Sequence, residues 1–83
     1  MEITITMSLP DPASLPVPMG RRWIRLRARL TQGEVAHLLG VTRPTVTRWE
    51  SGTIEPKGAS RVLYAAFLRS LIWEPQPGPR GWP

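Results

Sequence analysis

Residues Thr31 to Glu50, TQGEVAHLLGVTRPTVTRWE, constrain this 83-residue chain more than any other stretch. Thr31 stands where a helix N-cap is needed, and Glu34 three positions later completes a capping box. The helix then predicted runs from Gln32 to Leu39, with Val35, Leu38 and Leu39 as its buried stripe. Ala36 leaves room for a close helix crossing. Gly40 supplies the left-handed residue that ends it. Thr42 caps a second short helix over Arg43 to Glu50, and Pro44 sits in its first turn, where a missing N–H removes no hydrogen bond. Ser51-Gly52 stops it. Two short helices, each opened by a threonine and separated by a glycine-centred turn, form one unit.

The rest of the chain arranges itself around that unit. A preceding helix is expected from Arg21 to about Arg29, with Trp23, Ile24, Leu26 and Leu30 as its apolar residues. Its arginines crowd the N-terminal end, where the helix dipole disfavours positive charge, so either an external anion compensates or they are solvated. After the loop Thr53 to Gly58, containing Pro56 and Lys57, a fourth helix is expected over Ala59 to Trp73, closed by Pro75. Residues 1–20 form an arm: Ile3, Ile5 and Met7 alternate with Thr4 and Thr6 in a strand-like period of two. A lone strand is not stable, so it pairs with its own copy, adds to a partner's sheet or stays disordered. Leu9 to Gly20, with four prolines, reads as an extended linker. Met7 and Met19 are alternative starts. The division is therefore an arm and linker at 1–20, a domain at 21–73, and a disordered proline-rich tail at 74–83.

Composition narrows the chemistry. The chain is long enough for one small domain with a thin core. It has no cysteine, so neither disulfides nor a thiolate zinc site is available. With one histidine and 6 acidic residues, no metal centre and no cofactor is expected. No apolar run approaches the ~20 residues of a membrane span. The opening MEITITMSLPDP has an acid where a signal peptide has bases. A cytoplasmic protein is expected. The net charge is +5, and five arginines (Arg21, Arg22, Arg25, Arg27, Arg29) fall within nine residues. That balance favours a polyanionic partner, nucleic acid before a membrane surface.

At about 100° per residue, Val46, Trp49 and Glu50 lie on one side of the helix at 43–50. Arg43, Pro44, Thr47 and Arg48 lie on the other. Arginine can donate a bidentate pair to guanine O6 and N7, while threonine and proline carbons can touch a thymine methyl. Such a helix suits the major groove of double-stranded DNA. Trp49 points inward and is read as core, Glu50 as structural, and His37 as a surface residue. Arg27 and Arg29 are read as solvated or phosphate-facing. None of these residues forms an acid, base or nucleophile constellation, so no enzyme is expected.

These residues together resemble the Xre/Cro-like helix-turn-helix family of phage repressors and antitoxins. The likeness rests on Thr31-Gln32, Ala36, Gly40-Val41, Val46, Trp49-Glu50-x-Gly52 and Pro56, and spans about residues 21–71. It implies an all-α, lambda-repressor-like fold of four helices. It implies that Arg43, Pro44, Thr47 and Arg48 face base edges and that Thr31, Gln32, Thr42, Ser51, Thr53 and Lys57 contact phosphates. It further implies that Arg25 and Glu50 pair to tie the first helix to the third. Members are bacterial or phage-encoded and act at the nucleoid. Many end with two helices, whereas here one fits before Pro75.

That last helix carries more apolar surface than one stripe. Val62, Leu63, Ala66 and Phe67 share one side; Tyr64, Ala65, Leu68 and Ile72 share another. The first side is assigned to the core and the second to a two-fold dimer interface, with the arm folding back over it as the alternative. A homodimer would read an inverted-repeat operator as a repressor. The arm could also serve a toxin partner, as in antitoxins. The rival reading is a protein-interaction module that uses the same fold to inhibit another protein.

Overall fold

A residue before proline is pushed out of the α region, and Val17 is extended (φ −62°, ψ 158°). Pro18, with its φ already suited to a helix, then opens the first helix. In the computed structural model, which describes residues 11–72, α1 spans Pro18–Arg27, α2 Gln32–Leu39, α3 Arg43–Ser51 and α4 Gly58–Ile72. Among the described residues these four helices are the only regular elements, and there is no strand. The strand-like stretch Ile3–Met7, Trp73 and the tail at 74–83 lie outside the described residues.

Starting α1 at Pro18 corrects two expectations. Pro18, Met19 and Gly20 belong to the helix rather than to a linker. Arg25 and Arg27 then fall in the last turn, where the dipole favours positive charge, so the expected mismatch shrinks to Arg21, which is paired with Glu55, and Arg22. The helix closes with Leu30 N–H donating to Arg25 O (3.2 Å) and Arg29 N–H to Leu26 O (2.9 Å). This puts Arg29 in the left-handed region at φ 62°, a place usually taken by glycine.

The linker is not a free spacer either. Residues 11–17 form a strap whose carbonyls are held by three arginines. Arg21 Nε donates to Pro16 O (2.7 Å), Arg61 Nε to Ala13 O (2.7 Å), and both Arg69 Nη atoms to Pro12 O (3.3 Å each). An Asp11 turn starts the strap, with Ser14 N–H on Asp11 O and Ala13 N–H on its carboxylate (2.9 Å each). Leu15 packs against the core.

The predicted caps are present. Thr31 Oγ1 accepts from Glu34 N–H (3.0 Å) while the Glu34 carboxylate accepts from Thr31 N–H (2.7 Å). Gly40 ends α2 at φ 70°, and Gly52 ends α3 at φ 79°. At Gly52 a Cβ would stand 3.1 Å from Pro18 Cγ, so a side chain there would have to push the Pro18 ring aside as well as adopt the left-handed backbone.

The core consists of Ile24, Val35, Ala36, Val46, Trp49, Tyr64 and Leu68. α3 packs on α1 and α2, and α4 closes the bundle against the same two helices. Trp49 and Tyr64 meet with ring centroids 4.7 Å apart at 35°. Burial, aided by the Glu50 carboxylate, pushes the Tyr64 hydroxyl up to about 12.

Three stripes are read differently by the structure. Leu38 is 60% exposed. Val35, Leu39 and Ala36 fall within about 100° of arc, and Leu38 lies outside it. Trp23 and Leu26 are also exposed, their places facing the core being held by Arg21, Ile24 and Arg25. On α4 the two sides exchange roles. Tyr64, Ala65 and Leu68 are 1%, 1% and 2% exposed and belong to the monomer's core, so they are not a dimer interface. Of the residues assigned to that interface only Ile72 is on the surface. Val62, Leu63 and Ala66, expected inside, face outward, and Phe67 sits at the core's edge. The two sides are similarly apolar, so hydropathy does not rank them. The ring of Trp49 against Tyr64, and the strap beside Arg61 and Arg69, decide the rotation.

Candidate nucleic-acid interface

α3 is anchored from behind by a buried carboxylate. Glu50 accepts from Arg25 Nε (2.6 Å) and Nη2 (3.0 Å), and both side chains are less than a tenth exposed. Arg25 Nη1 also donates to Leu30 O (2.8 Å), in the turn before α2. Gln32 Nε2 donates to the same Glu50 oxygen that receives Nη2 (3.0 Å). Gln32 Oε1 accepts from Thr47 Oγ1 (2.7 Å), which lies 3.2 Å from Arg43 O as well. A chain of charged and polar groups thus links α1, α2 and α3 through Arg25, Glu50, Gln32 and Thr47. Among the described residues no buried side-chain nitrogen or oxygen is left without a partner. Charge-assisted bonds of this kind are short and directional, so they set the rotation of α3 about its own axis.

With Val46, Trp49 and Glu50 turned inward, the opposite side of α3 is open. Arg43, Pro44, Thr47 and Arg48 are exposed and, with Gln32, line one recess. Thr31, Gln32 and Gly33 at the mouth of α2 line a second recess together with Arg25, Arg29 and Arg43. Ser51 joins Arg22, Gln32 and Thr47 in a third. Gln32 is common to all three, so they form one continuous surface. Thr42, Thr53 and Lys57 are exposed but line none of these recesses.

The hydroxyls have local duties too. Thr42 Oγ1 accepts from Thr45 N–H (3.3 Å). Ser51 Oγ donates to Arg48 O (3.1 Å) and shares a bond with Thr53 Oγ1 (2.7 Å). The amides of Gln32 and Gly33 begin α2, where no preceding turn can accept their protons.

Sequence reasoning overlooked Arg21. It counted among the free bases, yet it is 4% exposed. Its Nη1 donates to Trp49 O (3.0 Å), and its two Nη atoms grip Glu55 (3.0 and 2.8 Å). Arg21 and its hydrogen bonds, with help from Arg61, hold the Glu55 carboxyl below the usual range. The signal was the four-residue spacing from Arg25, which places both on the inner side of α1. Arg22 was given no role of its own, although it borders the open surface; Arg29, read as solvated or phosphate-facing, borders it too.

A capped helix, a glycine turn and a short outward-facing helix locked from behind define a helix-turn-helix domain. A family model described as helix-turn-helix matches residues 22–70. The chain belongs to the Xre/Cro-like helix-turn-helix family, a family of DNA-binding transcription regulators. No curated protein and no solved structure gives a significant match to the chain. Among the described residues no helix is long and apolar enough to cross a membrane, and no three His, Asp or Glu side chains gather as a metal site would need.

Proposed function

We propose that the protein is a sequence-specific regulator that binds double-stranded DNA as a homodimer and represses transcription from an inverted-repeat operator. The observation that carries this reading is the two-sidedness of α3. Its inner side is immobilised by Glu50, and its outer side presents Arg43, Pro44, Thr47 and Arg48 together. Arg43 and Arg48 read base edges. The Thr47 hydroxyl is engaged by Gln32, which leaves its methyl, with Pro44, to meet thymine methyls. Thr31, Thr42, Ser51, Thr53 and Lys57 contact phosphates. Gln32 does so through its backbone N–H at the start of α2, because its side chain is engaged by Glu50 and Thr47. The body plan is shared by phage Cro-like repressors and antitoxins, and a toxin partner belongs to the second of these.

Operator selection from a random DNA pool, followed by titration at several salt concentrations, tests the reading. Affinity falls steeply with salt if several phosphate contacts release counterions. Arg43→Ala and Arg48→Ala each cost about 1–3 kcal/mol and relax discrimination at particular base pairs. A shallow salt dependence would sink the DNA reading and favour a protein-interaction module. A loss uniform over all sequences would move that arginine to the phosphates.

The dimer surface follows from the rotation of α4. Ala59, Val62, Leu63, Ala66 and Ser70 lie outward on one uncharged side, and Val62 and Leu63 are 44% and 56% exposed. To read an inverted repeat, a two-fold contact there has to set the two copies of α3 about 34–36 Å apart, one turn of DNA. Leu63→Asp should sediment as a monomer; an unchanged mass would refute this interface.

A further inference from the structure

The outward side of α1 carries none of the side chains assigned above to bases or phosphates, although Leu26 and Arg22 at its margin border the recesses of that surface. Met19, Trp23 and Leu26 recur at intervals of four and three, so they fall within about 60° of one another. They are 79%, 58% and 51% exposed. Arg21, Ile24 and Arg25 occupy the opposite side and are buried. The exposed side is thus an apolar stripe that no other described element covers.

Its surroundings are strongly one-signed. No acidic residue occurs between Asp11 and Glu34. Arg21 and Arg25 are neutralised by Glu55 and Glu50, whereas Arg22 and Arg27 make no ion pair among the described residues. The Arg27 guanidinium lies 5.3 Å from the centre of the Trp23 ring, which keeps it beside the stripe. Tryptophan, methionine and arginine are the residue types enriched where proteins bury surface against one another. Phosphates could answer the arginines, but a DNA backbone offers nothing to cover an indole, a thioether and a leucine together.

We propose that this side of α1 docks an acidic amphipathic segment of another protein. The partner's apolar side chains cover Met19, Trp23 and Leu26, and its carboxylates meet Arg22 and Arg27. The geometry is that of a helix or strap laid along α1, beside the DNA-reading surface and separate from the outward side of α4.

The test is a titration of the isotope-labelled full chain with a synthetic helix bearing a leucine stripe flanked by glutamates, and with its lysine-flanked twin. The indole N–H signal of Trp23 should shift and saturate, and the acidic peptide should bind about tenfold or more tightly than the basic one. Trp23→Ala should weaken the acidic peptide by about tenfold or more while leaving operator affinity unchanged, and Trp23→Phe should recover most of the binding. Thermal melts of both variants should match the parent, since the indole is on the surface. Several results would overturn the proposal. Equal binding of both peptides would remove the charge complementarity, and Trp23→Ala binding as well as the parent would reduce the effect to net charge. Operator affinity falling with Trp23→Ala would assign the stripe to DNA. A change of sedimenting mass in Trp23→Ala would make it a contact between copies.

Discussion

Arg21 and Arg25 stand one helical turn apart on α1, both buried, and both hold a glutamate with two nitrogens. Arg25 meets a carboxylate that is itself buried, and through it reaches Gln32 and Thr47 in the surface proposed to read DNA. Arg21 meets Glu55, whose side chain is 43% exposed, and otherwise donates to main-chain oxygens of Trp49 and Pro16. The same residue type therefore does two jobs. One pair orients α3; the other gathers the strap and the loop after α3 around the helix ends. The difference lies in the environment of the glutamate, because a buried unpaired charge cannot be rehydrated while an exposed one can.

That contrast can be broken by measurement. Arg25→Ala leaves Glu50 buried and unpaired and should cost about 3–5 kcal/mol in chemical denaturation, with loss of operator binding at temperatures where the variant is still folded. Arg21→Ala lets Glu55 return to water and should cost about 2 kcal/mol, mostly from the Trp49 and Pro16 carbonyls. Equal costs would show that the two sites are energetically alike and would remove the distinction.

A smaller effect sharpens the Arg25 side. That guanidinium secures the Leu30 carbonyl directly after Arg29, whose left-handed backbone is unfavourable by about 1–2 kcal/mol for a residue with a Cβ. Arg29→Gly should therefore raise stability by about 0.5–1 kcal/mol in denaturant titrations, after glycine's greater unfolded-state freedom is subtracted. A loss of stability would mean that the Arg29 side chain is itself holding the turn.

The smallest effect concerns pH and belongs to the Arg21 side. The folded Glu55 pKa lies below its ordinary value of 4.5. Its stabilisation is therefore complete above that value and is lost as pH falls through the lower, folded one. Thermal midpoints of the parent and of Glu55→Gln should differ at neutral pH and converge in acid. A constant gap would assign the Glu55 effect to packing. At the alkaline end the sign reverses. Tyr64 ionises near 10.0 when unfolded and at about 12 when folded, so stability falls as pH rises across that interval. Tyr64→Phe should flatten the decline.

Much of this was legible in the chain because it depends on neighbours in sequence. Thr31 with Glu34, Thr42 with Pro44, Gly40 and Gly52 are local signals, and each acts within one turn of backbone. The inward trio Val46, Trp49 and Glu50 followed from helical angle alone. Residues whose place depends on distant partners were read less well. Leu38 and Trp23 are apolar at helical spacing yet lie outside, since a domain this small has too few facing surfaces to cover every stripe. Tyr64, Ala65 and Leu68 were assigned to an interface for the opposite reason: α4 has two apolar sides, and nothing within the helix says which one the core will take.

The sequence by itself determined where the helices cap and stop, and which side of α3 faces outward, because backbone hydrogen bonding and helical periodicity act over three or four residues. Only the tertiary structure decided how α4 is rotated, that the prolines of the linker form an arginine-clipped strap, and that Arg21 is a buried tie rather than a free charge. Those outcomes rest mainly on contacts between residues 15 to 57 positions apart, Trp49 with Tyr64, Arg21 with Trp49 and Arg69 with Pro12 among them. Such contacts exist only once the chain has closed on itself.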